Sequence, residues 1–497
     1  MNRPIRVLAI GTLVLFLALL LNVTLVQYWQ AGSLSSLAKH PDNTRVRDAE
    51  FSRERGSIFV GRDTVLAESV RSDDQYDFQR RYPQPFAYAQ LTGYFSRDLG
   101  IGGVEATENS ILGGSDPKLF VNRVIDLAGS RTPRGGNVKL TINPAAQKAA
   151  YEGIQDLGKD TQAAVVALEP STGRILAMVS NPSFDPNRLA SHDFTKANAA
   201  KQQYLDAKPS PLDNPAMETT LPPGSTFKLV TAAAALESGK YQPNTRVPGG
   251  RVLDLPETSK NLINENGASC GGDSITLARA LAVSCNVAFG SIGLKLGDDA
   301  LREQAERFGF DQIYFTDLDD SLNRQSRSRF PANPDRPQTA LSAIGQFDVA
   351  ATPLQMAMVT AGIANGGTTM APHLIDQVLD AKLDVLDKVQ GQPLSNQPAM
   401  SVANARALTE MMEGVVTSGT GRTAQIPGVR VAGKTGTAQS APNRPPYAWF
   451  VSFAPADNPR VAVAVLVQDA GVDRDQISGS GLAAPIAKSV MEAVLGR

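Results

Sequence analysis

The stretch around which this chain is organised is LPPGSTFK, residues Leu221–Lys228. Its Pro-Pro-Gly turn leads into an Ala-rich apolar run, and Gly239 follows that run as a suitable helix end. The pattern predicts a buried helix that carries Ser225 in its first turn. Because Lys228 is three residues further on, its amine and the serine hydroxyl lie on one face of that helix.

A serine and a lysine on one face of an apolar helix indicate a nucleophile and its base. A serine hydroxyl attacks well only when a neighbour takes its proton, and desolvation lowers a lysine pKa towards the value that this role needs. The same spacing recurs at Ser36–Lys39 and at Ser115–Lys118, but the second copy contains Pro117. Only the Ser225 copy combines the turn with an apolar helix. The alternative is an ordinary helix start that happens to carry Lys228.

Two further segments extend this candidate site. SCN, residues Ser284–Asn286, is predicted to form a loop after a helix over 277–283. KTGT, residues Lys434–Thr437, is predicted to lie beside a strand over 429–432. Ser-x-x-Lys, Ser-x-Asn and Lys-Thr-Gly in this order form the established signature of β-lactamases and penicillin-binding proteins.

The composition sets limits on the function. The chain has 497 residues with 42% hydrophobic and 20% charged side chains, which is typical of a globular protein of two or three domains. Its formal net charge of −1 gives no indication of nucleic-acid binding. Only three histidines are present, and neither an HExxH motif nor a Cys/His cluster occurs. We therefore expect neither a metal nor a cofactor.

The N-terminus predicts the cellular location. Arg3 and Arg6 precede an apolar run, Val7–Val26, which is close to the ~20 residues that span a bilayer. The run is longer than the apolar core of a cleaved secretory signal. We predict a cytoplasmic tail over 1–6, an uncleaved transmembrane anchor over 7–28 and an extracytoplasmic remainder in the cell membrane. A cleaved signal is the alternative, and it gives the same location for the remainder.

Two cysteines, Cys270 and Cys285, are the only ones in the chain. An oxidising compartment allows a disulfide between them. Two separate buried thiols are an equally good interpretation of the sequence.

The order of apolar segments predicts the fold class. A hairpin of two apolar strands is predicted over 163–179, and further strands return over 449–454 and 461–468. The middle of the chain, about 190–420, is mostly helical in pattern. We therefore predict an α+β fold, in which one antiparallel sheet built from distant segments is flanked by helices and interrupted by a helical lobe.

With its anchor and its three motifs, the chain resembles the class B penicillin-binding proteins. Within that class it is most similar to the actinobacterial penicillin-binding protein A group. These are membrane-anchored D,D-transpeptidases of peptidoglycan synthesis. Phe347 is a departure, because many relatives carry glycine there, and we expect it to change packing rather than chemistry. The other segments that carry the resemblance are Arg55–Ile58 (RGSI), Gly102–Glu105 (GGVE), Leu168–Ala177 (LEPSTGRILA), Asn181–Asn187 (NPSFDPN), Thr352–Ala357 (TPLQMA) and Ala448–Phe450 (AWF).

The resemblance implies a division of the chain and a set of catalytic roles. It implies a mixed α/β N-terminal pedestal of the dimerisation type over 29–140 and a β-lactamase/transpeptidase-like domain over 141–497. Five residues are expected to be catalytic. Ser225 is the nucleophile, Lys228 its base, Ser284 a proton relay, Asn286 a holder of the base and of the substrate amide, and Lys434 a positive charge.

The resemblance also implies the substrate and the partners. Thr435, Gly436 and Thr437 are expected to bind the substrate, with both threonines on its terminal carboxylate. The backbone N–H groups of Ser225 and Thr437 are expected to form the oxyanion hole. The substrates would be peptidoglycan stem peptides ending in D-Ala-D-Ala, and β-lactams would acylate Ser225. A membrane glycosyltransferase of the RodA/FtsW type is the expected partner.

Other functions share parts of this pattern. A D,D-carboxypeptidase or a β-lactamase would carry the same three motifs, and a scaffold that activates a membrane glycan polymerase would need few of them. GASCG, residues Gly267–Gly271, also matches the Gly-x-Ser-x-Gly elbow of α/β-hydrolases, which needs a strand before it. We interpret that match as a chance one, because residues 261–266 are a poor strand sequence.

Overall fold

The computed structural model describes residues 2–30, 44–120, 126, 129, 134–318, 324–439 and 445–497. Two compact units are present, Met1–Glu54 with Arg71–Phe78, and Arg55–Val70 with Gln79–Arg497.

The N-terminal anchor prediction corresponds to one long helix. Asn2–Thr24 is α-helical and continues as a π-helical turn, Leu25–Trp29. Within it, Arg3–Trp29 has a mean hydropathy of 2.5 over its most apolar window, and by length and composition it can cross a membrane. Its leucines and valines are exposed to solvent, which is costly for so many apolar side chains in water. A second helix, Thr44–Phe51, follows in the same unit.

A six-stranded mixed sheet contains the strands of the N-terminal part of the chain. Ile58–Val60 pairs antiparallel with Thr64–Arg71 across a short turn and pairs in parallel with Asn137–Leu140. Two strands from much later in the sequence complete this sheet. The sequence analysis missed both strands, because they lie in the part of the chain that it predicted to be mostly helical. In order across the sheet, the strands are Val385–Lys388, Ile375–Leu379, Asn137–Leu140, Ile58–Val60, Thr64–Arg71 and Phe78–Arg81.

A five-stranded antiparallel sheet confirms the prediction that distant segments form one sheet. Alternate residues of its strands face two different cores: Ala163 and Val165 belong to one, and Ala164 and Val166 to the other. Both faces are therefore covered, which explains why these strands are continuous apolar runs. In order across the sheet, the strands are Ala432–Ala438, Tyr447–Ala454, Val461–Asp469, Gln162–Leu168 and Ile175–Asn181.

Helices enclose this sheet on both faces. Pro144–Gln155 and Ala484–Leu495 pack together against one face, while Pro353–Ala364 packs on the other. The inserted lobe between the sheet's second and third strands in sequence order is largely helical, as predicted. Its main helices are Phe194–Asp206, Lys228–Glu237, Leu277–Ala282, Asn286–Leu296, Asp298–Arg307, Arg336–Ser342, Pro353–Ala364 and Val402–Thr417.

The remaining elements are short. Two small two-stranded antiparallel sheets in the lobe pair Arg246–Pro248 with Ser274–Thr276, and Val252–Asp254 with Asn261–Ile263. The shorter helices and strands outside these sets are Pro85–Thr92, Phe95–Ser96, Gly100–Ile101, Val104–Thr107, Asn109–Leu112, Pro117–Leu119, Pro186–Leu189, Pro215–Glu218, Gly224–Phe227, Arg422–Ala424, Arg474–Gln476 and Gly479–Ala483.

Two local strand predictions were wrong. The predicted strand over 429–432 is in fact Ala432–Ala438, so KTGT lies within the strand rather than beside it. Its alternation of Gly and Thr hid a strand whose position is fixed by pairing with Tyr447–Ala454. Asn261–Ile263 does form a short strand, but the chain then turns into Ser274–Thr276 rather than into a helix, so GASCG lacks the context of a hydrolase elbow.

Candidate active site

The segment before the buried helix holds Ser225 at the edge of the five-stranded sheet. Gly224–Phe227 is a 3-10 turn that runs directly into the α-helix Lys228–Glu237. Gly224 has a φ of +53°, and a Cβ there would lie 2.9 Å from the Cβ of Ala438. The indole Nε1 of Trp449 donates to the carbonyl of Pro222 at 3.0 Å. Glycine is therefore required where the turn meets the strand, and the nucleophile's backbone is held from both sides.

Lys228 is completely buried, and three oxygen atoms surround its amine. Its Nζ donates to the carbonyl of Ser284 at 2.7 Å, to Oδ1 of Asn286 at 2.7 Å and to Oγ of Ser284 at 3.3 Å. None of these acceptors is a carboxylate. The amine is thus hydrogen-bonded without a compensating negative charge, which favours its neutral form.

Lys434 contacts the same serine. Its Nζ donates to Oγ of Ser284 at 2.9 Å and to the carbonyl of Thr435 at 2.6 Å, and the side chain is fully buried. The Ser284 hydroxyl oxygen therefore accepts from two amines. Its own hydrogen remains available for a group that enters the cleft.

The two lysines have strongly perturbed pKa values. Burial, and next the charge of Lys434, place the pKa of Lys228 well below its ordinary value. Burial lowers the pKa of Lys434 to about 7, and the charge of Glu265 opposes that shift. Perturbed titratable groups in a cleft are typical of functional sites.

The Ser284 segment is held in an unusual conformation. Ser284 has a φ of +59°, a region that non-glycine residues rarely adopt and that typically costs about 1–3 kcal/mol. Cys285 forms a disulfide with Cys270, with the Cα atoms 5.8 Å apart, which decides between the two interpretations of the cysteines. Asn286 begins the helix Asn286–Leu296 instead of lying in a loop. The serine is therefore presented between a helix end and a helix start.

A second loop is tied to this segment. We call residues 264–271 the cleft loop. Oδ1 of Asn264 accepts from the backbone N–H of Val287 at 3.2 Å, and Nδ2 of Asn286 donates to the carbonyl of Ile263 at 3.0 Å. With the disulfide at Cys270, these contacts fix the cleft loop to the Ser284 segment.

The strand Ala432–Ala438 forms one wall of the cleft. Oγ1 of Thr435 and Oγ1 of Thr420 are 2.6 Å apart. Gly436 packs against the nucleophile's turn, because a Cβ there would lie 3.0 Å from Cγ2 of Thr226 and 3.1 Å from the carbonyl of Pro223. Gly436 thus allows close approach, whereas the threonines on either side face the cleft.

Two adjoining cavities of about 670 and about 600 Å³ form the cleft. Ser225, Asn264, Glu265 and Thr437 line both of them. One cavity is lined by amide side chains such as that of Gln346 and by Phe347, whose φ is +62°. The other carries hydroxyl groups such as those of Thr420 and Thr435. The cleft therefore offers an amide-lined side and a hydroxyl-lined side to one nucleophile.

All eight predicted site residues meet at this cleft. Seven contribute side chains, and Gly436 allows its strand to pack closely against the nucleophile's turn. Sequence reasoning missed Thr420, Asn264 and Glu265, because nothing in their own neighbourhoods marks them. In the described part of the chain, no cluster of three or more His, Cys, Asp or Glu side chains is arranged to hold a metal ion.

Two family models match this architecture. Residues 163–492 match the penicillin-binding protein transpeptidase domain, and residues 55–138 match the penicillin-binding protein A dimerisation domain. Since the first match alone covers more than half of the chain, this chain belongs to the penicillin-binding protein transpeptidase family.

Particular relatives are similar over the full length. The chain is 42% identical to the peptidoglycan D,D-transpeptidase PbpA of Mycolicibacterium smegmatis, covering 100% of this chain and 99% of the relative. It is 41% identical to PbpA of Mycobacterium tuberculosis with the same coverage. The structure of M. tuberculosis penicillin-binding protein A as a ceftriaxone acyl-enzyme matches with a TM-score of 0.85 and 42% identity, over 90% of this chain and 100% of that one. The predicted fold class and family are confirmed.

Proposed function

We propose that this protein is a serine D,D-transpeptidase that cross-links peptidoglycan stem peptides through an acyl-enzyme on Ser225, and that β-lactams acylate the same serine. The observation that carries the proposal is the Ser284 hydroxyl, which accepts hydrogen bonds from two buried lysines beside the nucleophile's turn. The printed functions of the relatives and their β-lactam acyl-enzyme structures support it.

The first half of the proposed reaction forms the acyl-enzyme. Neutral Lys228 takes the proton of Ser225 as its Oγ attacks the carbonyl of the penultimate D-Ala. The backbone N–H groups of Ser225 and Thr437 stabilise the oxyanion, and donors of this kind are typically worth about 2.7–4 kcal/mol of barrier. Ser284 passes a proton to the leaving D-Ala nitrogen. Asn286 holds Lys228 and the substrate amide.

The hydroxyl-lined side of the cleft is assigned to the substrate's terminal carboxylate. Lys434 supplies positive charge, and the hydroxyls of Thr435 and Thr437 donate to the carboxylate oxygens. The Thr420 hydroxyl, at hydrogen-bond distance from Thr435, orients that residue. In the second half of the reaction, an amine of a neighbouring stem peptide attacks the acyl-enzyme and regenerates Ser225.

We further propose a location and a division of the chain. Residues 1–6 are a cytoplasmic tail, 7–28 a single membrane span, 29–140 a pedestal of the dimerisation type and 141–497 the extracytoplasmic transpeptidase domain. Arg3 and Arg6 before the apolar helix support this orientation. A polymerase of the RodA/FtsW type binds the anchor and the pedestal. Co-purification with that polymerase after deletion of both segments would contradict this assignment.

Intact-mass spectrometry of the full chain in detergent tests the proposed function. Incubation with penicillin should add one penicilloyl mass to the wild type and none to Ser225→Ala. A matched control is Ser238→Ala, at the far end of the same helix, which should acylate like the wild type. A folded wild-type chain that gains no adduct would contradict the proposal and favour the scaffold alternative.

A further inference from the structure

Basic side chains outnumber acidic ones in the cleft of an enzyme that must also accept an amine. Lys228 and Lys434 lie at its base, and Arg279 and Arg474 are among the residues that line its two cavities. Of the described residues that line either cavity, Glu265 is the only acidic one, and it lines both. Positive charge suits the donor peptide with its terminal carboxylate, but it repels a second substrate that arrives as an ammonium ion.

The Glu265 carboxylate is available to such a substrate. Its side chain is exposed, and within the described residues it forms no salt bridge. It is the acidic group whose charge acts on both Lys228 and Lys434, so it lies within electrostatic range of the reacting centre. An exposed, unpaired carboxylate at the mouth of a cationic cleft is suited to binding a cation.

The position of Glu265 is fixed by its neighbours. Its preceding residue, Asn264, is buried and donates through Nδ2 to the carbonyls of Gly250 at 2.9 Å and Ala268 at 2.8 Å. The disulfide at Cys270 anchors the other end of the cleft loop. A carboxylate on so constrained a loop loses little conformational entropy when it binds a ligand.

We propose that Glu265 binds the ammonium group of the acceptor substrate and holds it beside the acyl-enzyme on Ser225. This inference rests on the proposed transpeptidase function and adds a residue that recognises the second substrate. The acceptor class is a primary alkylamine, which is cationic near neutral pH in the way that a lysine side chain is.

The bond changes balance without another reactant. The ammonium first loses one proton to neutral Lys228, which passes it to solvent. The amine nitrogen then bonds to the acyl carbon, the ester bond to Oγ of Ser225 breaks, and a second N–H proton returns to that oxygen through Lys228. One hydrogen stays on the new amide. Glu265 takes part in none of these transfers and is a substrate-binding residue.

The test measures how one acyl-enzyme partitions between an amine and water. The full chain in detergent receives a synthetic peptide ending in D-Ala-D-Ala together with Nα-acetyl-lysine amide, whose only amine is a side-chain ammonium. Hydroxylamine, which is uncharged near neutral pH, replaces it in a parallel reaction. Mass spectrometry gives the ratio of aminated to hydrolysed product. Because both products come from the same acyl-enzyme, the ratio does not depend on the folded fraction or on the acylation rate.

For Glu265→Gln we expect the ratio to fall roughly fivefold with the lysine amide and to stay unchanged with hydroxylamine. Glu265→Asp keeps the charge and should recover most of the ratio. Glu257→Gln, an exposed substitution before the cleft loop, is the matched control and should behave like the wild type. Added salt should weaken amine transfer in the wild type and not in Glu265→Gln.

Two results would overturn the inference while leaving the proposed function intact. An equal fall with both nucleophiles would mean that Glu265 acts on the lysines rather than on the acceptor's charge. An unchanged ratio with the lysine amide would mean that Glu265 does not contact the acceptor. If the wild type forms no acyl-enzyme at all, the proposed function fails, and this inference fails with it.

Discussion

The cluster of Arg55, Arg80 and Glu105 and the pair of Lys228 and Lys434 are both fully buried, but only the first contains a carboxylate. In the first, one oxygen of Glu105 accepts from Nε of Arg55 at 2.6 Å and the other from Nε of Arg80 at 2.6 Å. In the second, two amines share the hydroxyl of a serine. Burial disfavours the charged form in both places. The first region compensates with an ion pair, whereas the second has no carboxylate that could compensate.

The pKa values show the consequence. Burial alone would raise the pKa of Glu105, but the charges of Arg80 and Arg55 outweigh it and leave that pKa below its ordinary value. Burial lowers the pKa values of both lysines, and the charge of Lys434 lowers that of Lys228 further. The first cluster is therefore fixed in its charged state, whereas Lys434 in the second can gain and lose a proton near neutrality. A buried ionic group supports structure when paired and supports chemistry when it is not.

The largest effect that would test this contrast is on catalysis. Lys228→Met removes the proposed base, so the second-order rate of acylation by penicillin should fall by about 10²–10⁴. The same change also removes a buried amine that has no carboxylate partner, so the free energy of unfolding should not fall. Stopped-flow acylation and urea unfolding measure the two quantities. Lys240→Met, on the exposed end of that helix region, is the control. Acylation of Lys228→Met at the wild-type rate would show that another group takes the proton.

The opposite result is expected for the paired cluster. Glu105→Gln leaves Arg55 and Arg80 buried without their counter-charge, so the free energy of unfolding should fall by about 3–5 kcal/mol. Urea unfolding of the full chain in detergent measures the loss. As a control, Glu303→Gln breaks only an exposed pair with Arg307 and should cost less than about 1 kcal/mol. Equal losses for the two variants would remove the distinction between the clusters.

The smallest effect is on the pH dependence. Acylation should need Lys228 neutral and Lys434 charged, so its second-order rate should decline above about pH 7, where Lys434 loses its proton, and decline again on acidification as Lys228 gains one. Lys434→Arg keeps its charge at all accessible pH values, so the alkaline decline should disappear in that variant. An alkaline decline that persists there would assign it to another group.

The same shifts set the sign of the stability changes. Both lysines have lower pKa values in the folded chain than in the unfolded one, so their contribution to the free energy of unfolding is fully present above the unfolded value of about 10.4 and declines as the pH falls. For Lys434 this decline spans pH from about 10.4 to about 7. Glu105 stabilises above its unfolded value of about 4.3 and loses that contribution only in acid. Near neutrality, only the lysine contribution changes.

Much of the site could be predicted because its residues follow a fixed order along the chain. The nucleophile's turn depends on a glycine at positive φ, and Pro-Pro-Gly before an apolar helix is visible in the sequence. The Lys434 strand was misplaced because its Gly and Thr residues lack the β-branched apolar pattern that marks a strand. Its position follows from pairing with Tyr447–Ala454, a long-range contact that no local pattern encodes.

By itself, the sequence determined the apolar N-terminal helix, the sheet of distant segments and the identities of Ser225, Lys228 and their partner motifs, because each is set by local periodicity or by residue type. Tertiary structure alone decided the disulfide at Cys270, the left-handed conformation of Ser284 and the place of Glu265 at the cleft mouth. It also decided the pKa values of the two lysines. These properties depend on burial and on charges from segments far apart in the chain, and such quantities exist only once the chain has packed.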